Sequence, residues 1–167
     1  MDKQQKTVVY VFVALLLAAI IALVAVIALR KPETQVLDFT APPFDNSAVT
    51  GVPESVDESL RYGNISVEDT FSFAMCGSPT LEGNKLRVFF TCSAENDVWL
   101  LMKVYDTKGN LIGKSGMIRM GEYVEYVTLD TVPKDKNLVF KILSYEPETY
   151  YSKGSANATL PIKIISE

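Results

Sequence analysis

From Thr7 to Leu29 the chain runs for 23 residues without a charged side chain, and almost all of them are apolar. At about 1.5 Å of rise per residue, a helix over this run reaches roughly 35 Å, enough to cross a hydrocarbon core of about 30 Å with some tilt. Only a helix satisfies its own backbone in lipid over one isolated stretch. Lys6 and Arg30 bracket the run, and Tyr10 sits near one end, where an amphipathic ring suits the membrane interface. The competing reading is a cleaved signal peptide, whose apolar core is typically about 7–15 residues. This run is longer and closes on Ile27-Ala28-Leu29-Arg30-Lys31-Pro32, without a small-x-small cleavage site. The expectation is a six-residue tail (1–6) followed by an uncleaved signal anchor (7–29), with the lipid bilayer as its first partner.

Orientation is nearly balanced. Lys3 and Lys6 flank one side of the run, Arg30 and Lys31 the other, and the positive-inside rule counts only such residues. The shortness of the tail favours an N-in, C-out arrangement, a single-pass cell-membrane protein with its C-terminal part extracytoplasmic. Ala14, Ala18 and Ala22 lie four apart on one helix face. Small residues at that spacing let two helices approach closely and leave a homo-oligomer open, although alanine is also simply common in spans.

The charge that follows is uneven. Residues 1–30 carry three bases against one acid, 31–67 carry two bases against six acids, and 68–167 carry eleven bases against thirteen acids, for a net of −4. No basic patch exists of the kind nucleic acid requires. Histidine is absent, which removes the Ser-His-Asp and Cys-His nucleophile pairs and every His-ligated metal site. No cofactor or metal is expected, and no enzymatic activity.

Residues 30–67 contain Pro32, Pro42, Pro43 and Pro53, with apolar residues in no regular period. They read as an acidic, Pro-containing linker. Two alternatives stand beside it: Phe39 to Phe44 packing along the domain, and a helical turn at Asp57–Tyr62. After Glu68 the pattern becomes short runs of β-formers between turn residues. Strands are expected near Thr70–Met75, Lys85–Cys92, Val98–Tyr105, Leu111–Lys114, Glu122–Leu129, Leu138–Tyr145 and Thr159–Ile165. Leu86, Val88, Phe90 and Cys92 share one face, as do Leu138, Phe140 and Ile142, the alternation of a half-buried antiparallel strand. In the third strand both faces are apolar, because Trp99 and Leu101 back Leu100 and Met102, so that strand should be central or covered on both sides. About seven strands over residues 68–167 indicate a mostly β fold, an antiparallel Ig-like β-sandwich.

The two cysteines, Cys76 and Cys92, are expected to be free. In a hairpin around Gly77–Asn84 they would stand about seven residues out of register, too far for a disulfide, and Cys76 shares a face with Ser72 whereas Cys92 falls with the core. Cys76 precedes Gly77 as in some thiol enzymes, but no histidine is there to activate it. Asp106 and Asn110 could offer oxygens to Ca²⁺, although they also bracket an ordinary hairpin turn with Gly109 in its left-handed position; Glu95-Asn96-Asp97 reads the same way. Asn64-Ile65-Ser66 and Asn157-Ala158-Thr159 match the glycosylation sequon.

The strongest candidate for partner binding is Tyr145, Glu146, Pro147, Glu148, Tyr150 and Tyr151, the loop between the sixth and last expected strands. Tyrosines offer large contact area at low entropic cost, and loops at the end of a sandwich are where binding surfaces sit. The alternative is that these rings cover the end of the core. Arg119-Met120-Gly121-Glu122-Tyr123 is a second candidate. A sugar-binding reading would use Trp99, which its apolar neighbours place more naturally in the interior.

At Tyr105–Gly113, Gly121–Glu125 and Tyr145–Tyr151 the chain resembles uncharacterised single-pass, surface-facing β-sandwich proteins of Gram-positive bacteria, some of them associated with mobile elements. The resemblance spans roughly residues 70–165. It implies extracytoplasmic placement and carries no catalytic residues across. The expected function is a non-catalytic, membrane-anchored interaction module of a cell-envelope, adhesion or transfer assembly that binds another protein. The alternative is a structural accessory subunit of a multi-pass membrane complex, recognised through its transmembrane helix.

Overall fold

The structure, a computed structural model, describes residues 15–18, 20–21, 40–68 and 70–165. The chain divides into two compact units, 1–39 and 40–167. In the first, Leu15–Ala18, Ile20 and Ile21 are helical, and the side chains of Leu15, Leu16, Leu17, Ile20 and Ile21 are exposed. Among the described residues no helix is long and apolar enough to cross a membrane. Most of the expected span 7–29, including Ala14 and Ala22, lies outside the described residues.

The second unit is mostly β. Its strands are β1 (Val49–Thr50), β2 (Tyr62–Val67), β3 (Phe71–Cys76), β4 (Thr80–Glu82), β5 (Lys85–Cys92), β6 (Trp99–Tyr105), β7 (Leu111–Ile118), β8 (Glu122–Thr128), β9 (Asn137–Tyr145), β10 (Ser152–Pro161) and β11 (Lys163–Ile165). Two sheets form. One runs β1-β8-β5-β3-β2, with β4 on the remaining length of β5 and β11 parallel to β4; the other runs β10-β9-β6-β7. All other pairings between named strands are antiparallel.

The core lies between the sheets. Phe73 and Met75 of β3, Leu86, Val88 and Phe90 of β5, Leu100, Met102 and Val104 of β6, and Leu138, Phe140 and Ile142 of β9 all enter one cluster. These are the alternate positions that period-2 patterning selects. β6 is central, between β7 and β9; of its outward residues, Leu101 is buried and Trp99 half-buried.

Several expectations are corrected. The boundary before the folded unit falls at residue 40 rather than 68. Within the expected linker, β1 pairs with β8, a 3₁₀ turn forms at Glu58–Leu60, and β2 pairs along the whole of β3. These pieces are too short or too polar to show a period, and only their partners make them strands. The expected hairpin of β3 and β5 is interrupted by β4, so Phe73 stands opposite Cys92 and Cys76 falls about three residues from it along the strand. Both thiols are nonetheless free and buried, because they face opposite ways: Cys92 joins the main core, and Cys76 joins Leu60 and Phe89 in a smaller cluster on the outer side of the sheet. The last expected strand, Thr159–Ile165, splits around the buried Ile162, and β7 continues to Ile118.

Candidate functional site

Three turns meet at one end of the second unit. The registers Trp99↔Tyr145 and Leu100↔Ile118 bring together the turn entering β6 (93–98), the turn leaving β7 (119–121) and the loop joining β9 to β10 (146–151). The two segments singled out in the sequence, Arg119–Tyr123 and Tyr145–Tyr151, therefore share this end.

The 146–151 loop is closed by its own backbone. Glu146 N donates to Tyr151 O at 2.8 Å, Tyr150 N to Glu146 O at 3.0 Å and Thr149 N to Pro147 O at 2.8 Å. The Thr149 hydroxyl donates to Glu146 Oε2 at 2.7 Å. Glu148 and Tyr150 take positive φ values of 68° and 58°, a conformation that costs an L-residue with a Cβ about 1–2 kcal/mol. The fold absorbs that cost, and the result is that Tyr150 turns back while Tyr151 points away, 74% exposed.

Tyr150 turns onto Trp99, with ring centroids 5.5 Å apart. Phe44 meets Trp99 edge-on at 4.8 Å, and the Arg119 guanidinium lies 3.7 Å over the Phe44 ring. A continuous ladder Arg119–Phe44–Trp99–Tyr150 thus crosses the outer face of the β10-β9-β6-β7 sheet. Edge-to-face ring pairs and a cation over a ring each contribute about 0.5–1.5 kcal/mol. The rings cover the outside of this sheet rather than the core between the sheets.

Phe44 is held by strand-like pairing of its segment with the free edge of β7. Met117 N donates to Pro43 O at 2.9 Å, Asp45 N to Met117 O at 2.8 Å, and Gly116 N to Asp45 Oδ2 at 2.8 Å. Beside this arm lies an open cleft of about 700 Å³, lined by residues that include Pro42, Pro43, Leu101, Lys103, Lys114 and Tyr145. Burial raises the Tyr145 phenol above its ordinary value. Glu146 and Asp97 both face Lys153, at 3.8 and 3.7 Å, tying the 93–98 turn to the loop through exposed, weak ion pairs.

The remaining sequence candidates separate. Asp106 accepts hydrogen bonds from Lys108 N, Asn110 N and Asn110 Nδ2; these hold its carboxyl below the usual range and close the hairpin. Asn96 binds Ser72 N and Ser72 O and reaches Cys92 Sγ, so its turn is clamped to β3. Burial pushes both thiols up to about 11, which leaves them protonated at neutral pH. Asn64 on β2 and Asn157 on β10 are exposed. Of the alanine stripe only Ala18 is described, and it is exposed. The sequence signals Phe44 only weakly, as an aromatic after two prolines in the 39–44 segment that can pack along the domain. No protein-family model, curated protein or solved structure matches this chain.

Proposed function

We propose that this chain is a non-catalytic, membrane-anchored protein-interaction module of an envelope, adhesion or transfer assembly, with residues 40–167 as an extracytoplasmic Ig-like sandwich. The strand order supports the Ig-like assignment. β3-β5-β8 corresponds to strands A-B-E, and β10-β9-β6-β7 to G-F-C-C′. In that scheme the 93–98 turn and the 146–151 loop are the B–C and F–G connections, at the end where variable domains carry their binding loops. The exposed apolar helical residues Leu15–Leu17, Ile20 and Ile21 within an uncharged run support lipid as their surroundings.

One observation carries the reading: a rigid loop spends two left-handed residues to hold Tyr150 against Trp99 while presenting Tyr151 to solvent. An exposed aromatic on a loop closed by its own hydrogen bonds, next to the cleft that Tyr145 lines, is the form of a binding anchor. The test places a photo-crosslinking amino acid at Tyr151 of the full chain in intact cells. A discrete protein adduct that disappears when Tyr145 and Tyr150 are changed to alanine supports the assignment; an adduct that these changes leave untouched removes the loop from it. Protease shaving of a C-terminally tagged copy tests the topology, since a tag protected in cells without a wall or outer membrane would put the domain in the cytoplasm.

A further inference from the structure

Lys103 of β6 pairs directly with Lys114 of β7 on one side and with Lys141 of β9 on the other, and Lys141 stands opposite Asn157 of β10. Directly paired residues project from the same face of a sheet. Met102 and Val104, which bracket Lys103, both fill the core, so this row lies on the outer face. Adjacent strands are about 4.8 Å apart, which brings three ammonium-bearing stems within about 10 Å. Like charges directly opposite one another destabilise a sheet. Among the described residues the ion pairs are made by Arg87, Arg119 and Lys153, and none by these three lysines. An uncompensated basic row is conspicuous in a chain of net charge −4.

The neighbouring rows are apolar. Leu101 pairs with Leu143, and Tyr105 with Val139. Lys103 and Lys114 also line the cleft beside the 40–47 arm, together with Leu101, Pro42, Tyr145 and one acid, Asp45, whose carboxylate oxygens accept from Ser47 and Gly116 N. Positive charge, an aliphatic floor and a phenol therefore converge in one trough.

We infer that this trough binds an acidic peptide segment with apolar flanking residues, belonging to a protein partner. The inference rests on the protein-interaction reading above and names the chemistry of that partner. A peptide fits better than a uniformly charged polymer, because the chain's net negative charge and Asp45 in the lining of the cleft repel a long polyanion. It also fits better than a sugar chain, since Trp99 is flanked by Phe44 and Tyr150 and offers no open stacking platform. Crowding of the three like charges costs the sheet stability, and an acidic ligand relieves it.

The experiment uses the full chain in nanodiscs of zwitterionic lipid and a fluorescein-labelled copolymer of glutamate and tyrosine of short-peptide length, read by anisotropy. Lys103→Gln and Lys114→Gln, the two lysines that line the cleft, should each weaken binding by about fivefold, and the pair by tenfold or more, in line with exposed charge pairs. Raising the salt from about 0.05 to 0.5 M should weaken it further as the Debye length shrinks. Both variants should melt at or above the parent temperature, because they relieve like-charge crowding; a purely structural role for the lysines would lower it. The proposal is overturned if the double variant binds the copolymer as the parent does. It is equally overturned if dextran sulfate or anionic vesicles bind more tightly than the copolymer through the same lysines. If lysine replacement has no effect while the Tyr151 crosslink still forms, the trough is wrong and the interaction module stands; if neither behaves as stated, both fall.

Discussion

Gly116→Ala should unlatch the arm that carries Phe44. A Cβ added at residue 116 would sit 2.5 Å from Asp45 Cα and 2.7 Å from the Phe44 carbonyl carbon, and nearer still to Asp45 N. These are backbone atoms, so no side-chain rotation relieves the overlap. The chain then has two responses. It can keep the arm docked and absorb the strain, at about 1–3 kcal/mol. Or it can release residues 43–45, losing three hydrogen bonds worth about 1 kcal/mol each and two ring contacts of about 0.5–1.5 kcal/mol each, partly offset by recovered conformational entropy. The cheaper route sets the cost, at about 1–3 kcal/mol, a fall in Tm of roughly 4–12 °C for a unit of this size. Trp99 is the sole tryptophan, so its emission separates the two routes. Release uncovers one edge of the indole, raising acrylamide quenching and shifting emission to the red, whereas strain alone lowers Tm with quenching unchanged. Gly63→Ala is the control, because nothing lies within 4 Å of a Cβ there, and it should stay within about 0.5 kcal/mol of the parent. A Gly116→Ala chain with Tm within about 2 °C of the parent and identical quenching would refute the docking of the arm.

Asn96→Ala removes an acceptor for Ser72 N and a donor to Ser72 O; it should cost about 2 kcal/mol in urea titration, and a loss under about 0.5 kcal/mol would show that water replaces the clamp. Tyr151→Ala should leave stability unchanged, since its ring is 74% exposed, whereas Tyr150→Ala should lower it by about 1 kcal/mol through loss of the Trp99 contact; equal effects on melting would contradict the assigned orientations. Both thiols have folded values near 11 against an ordinary 9.0. Because the folded state holds these protons more tightly, their contribution is complete below about pH 9 and is lost as pH rises towards 11. Denaturation midpoints should therefore decline across that window, and less so in a Cys76→Ala, Cys92→Ala chain; identical slopes would reject the burial of the thiols.

Part of the candidate site's position was legible from residue type. The Tyr145–Tyr151 loop was found because tyrosines and a proline fall between two alternating strands, and the double-sided apolar character of Trp99–Leu101 marked β6 as covered on both faces. What escaped was the company these residues keep. Phe44 sits in a proline-containing stretch with no period, and its place beside Trp99 depends on Gly116 admitting the arm's backbone from 71 residues away. The lysine row escaped for the same reason: Lys103, Lys114 and Lys141 are unremarkable outward positions on three separate strands, and become a row only through register.

The sequence alone determined the local periods: an uncharged apolar run at residues 7–29, then alternating segments that β3 and β5 to β9 follow closely, with turns where glycine, asparagine and proline cluster. These follow from steric and solvation preferences that act within a few residues. Tertiary structure alone decided that residues 40–67 join the folded unit, that β4 separates β3 from β5, that Phe89 of β5 takes a positive φ within a register shift, and which side chains face each other across strands. Edge strands of two to six residues bury too little to form alone. Their hydrogen bonds exist only once a partner edge is in place, and that edge is set by the packing of the two sheets around the shared core.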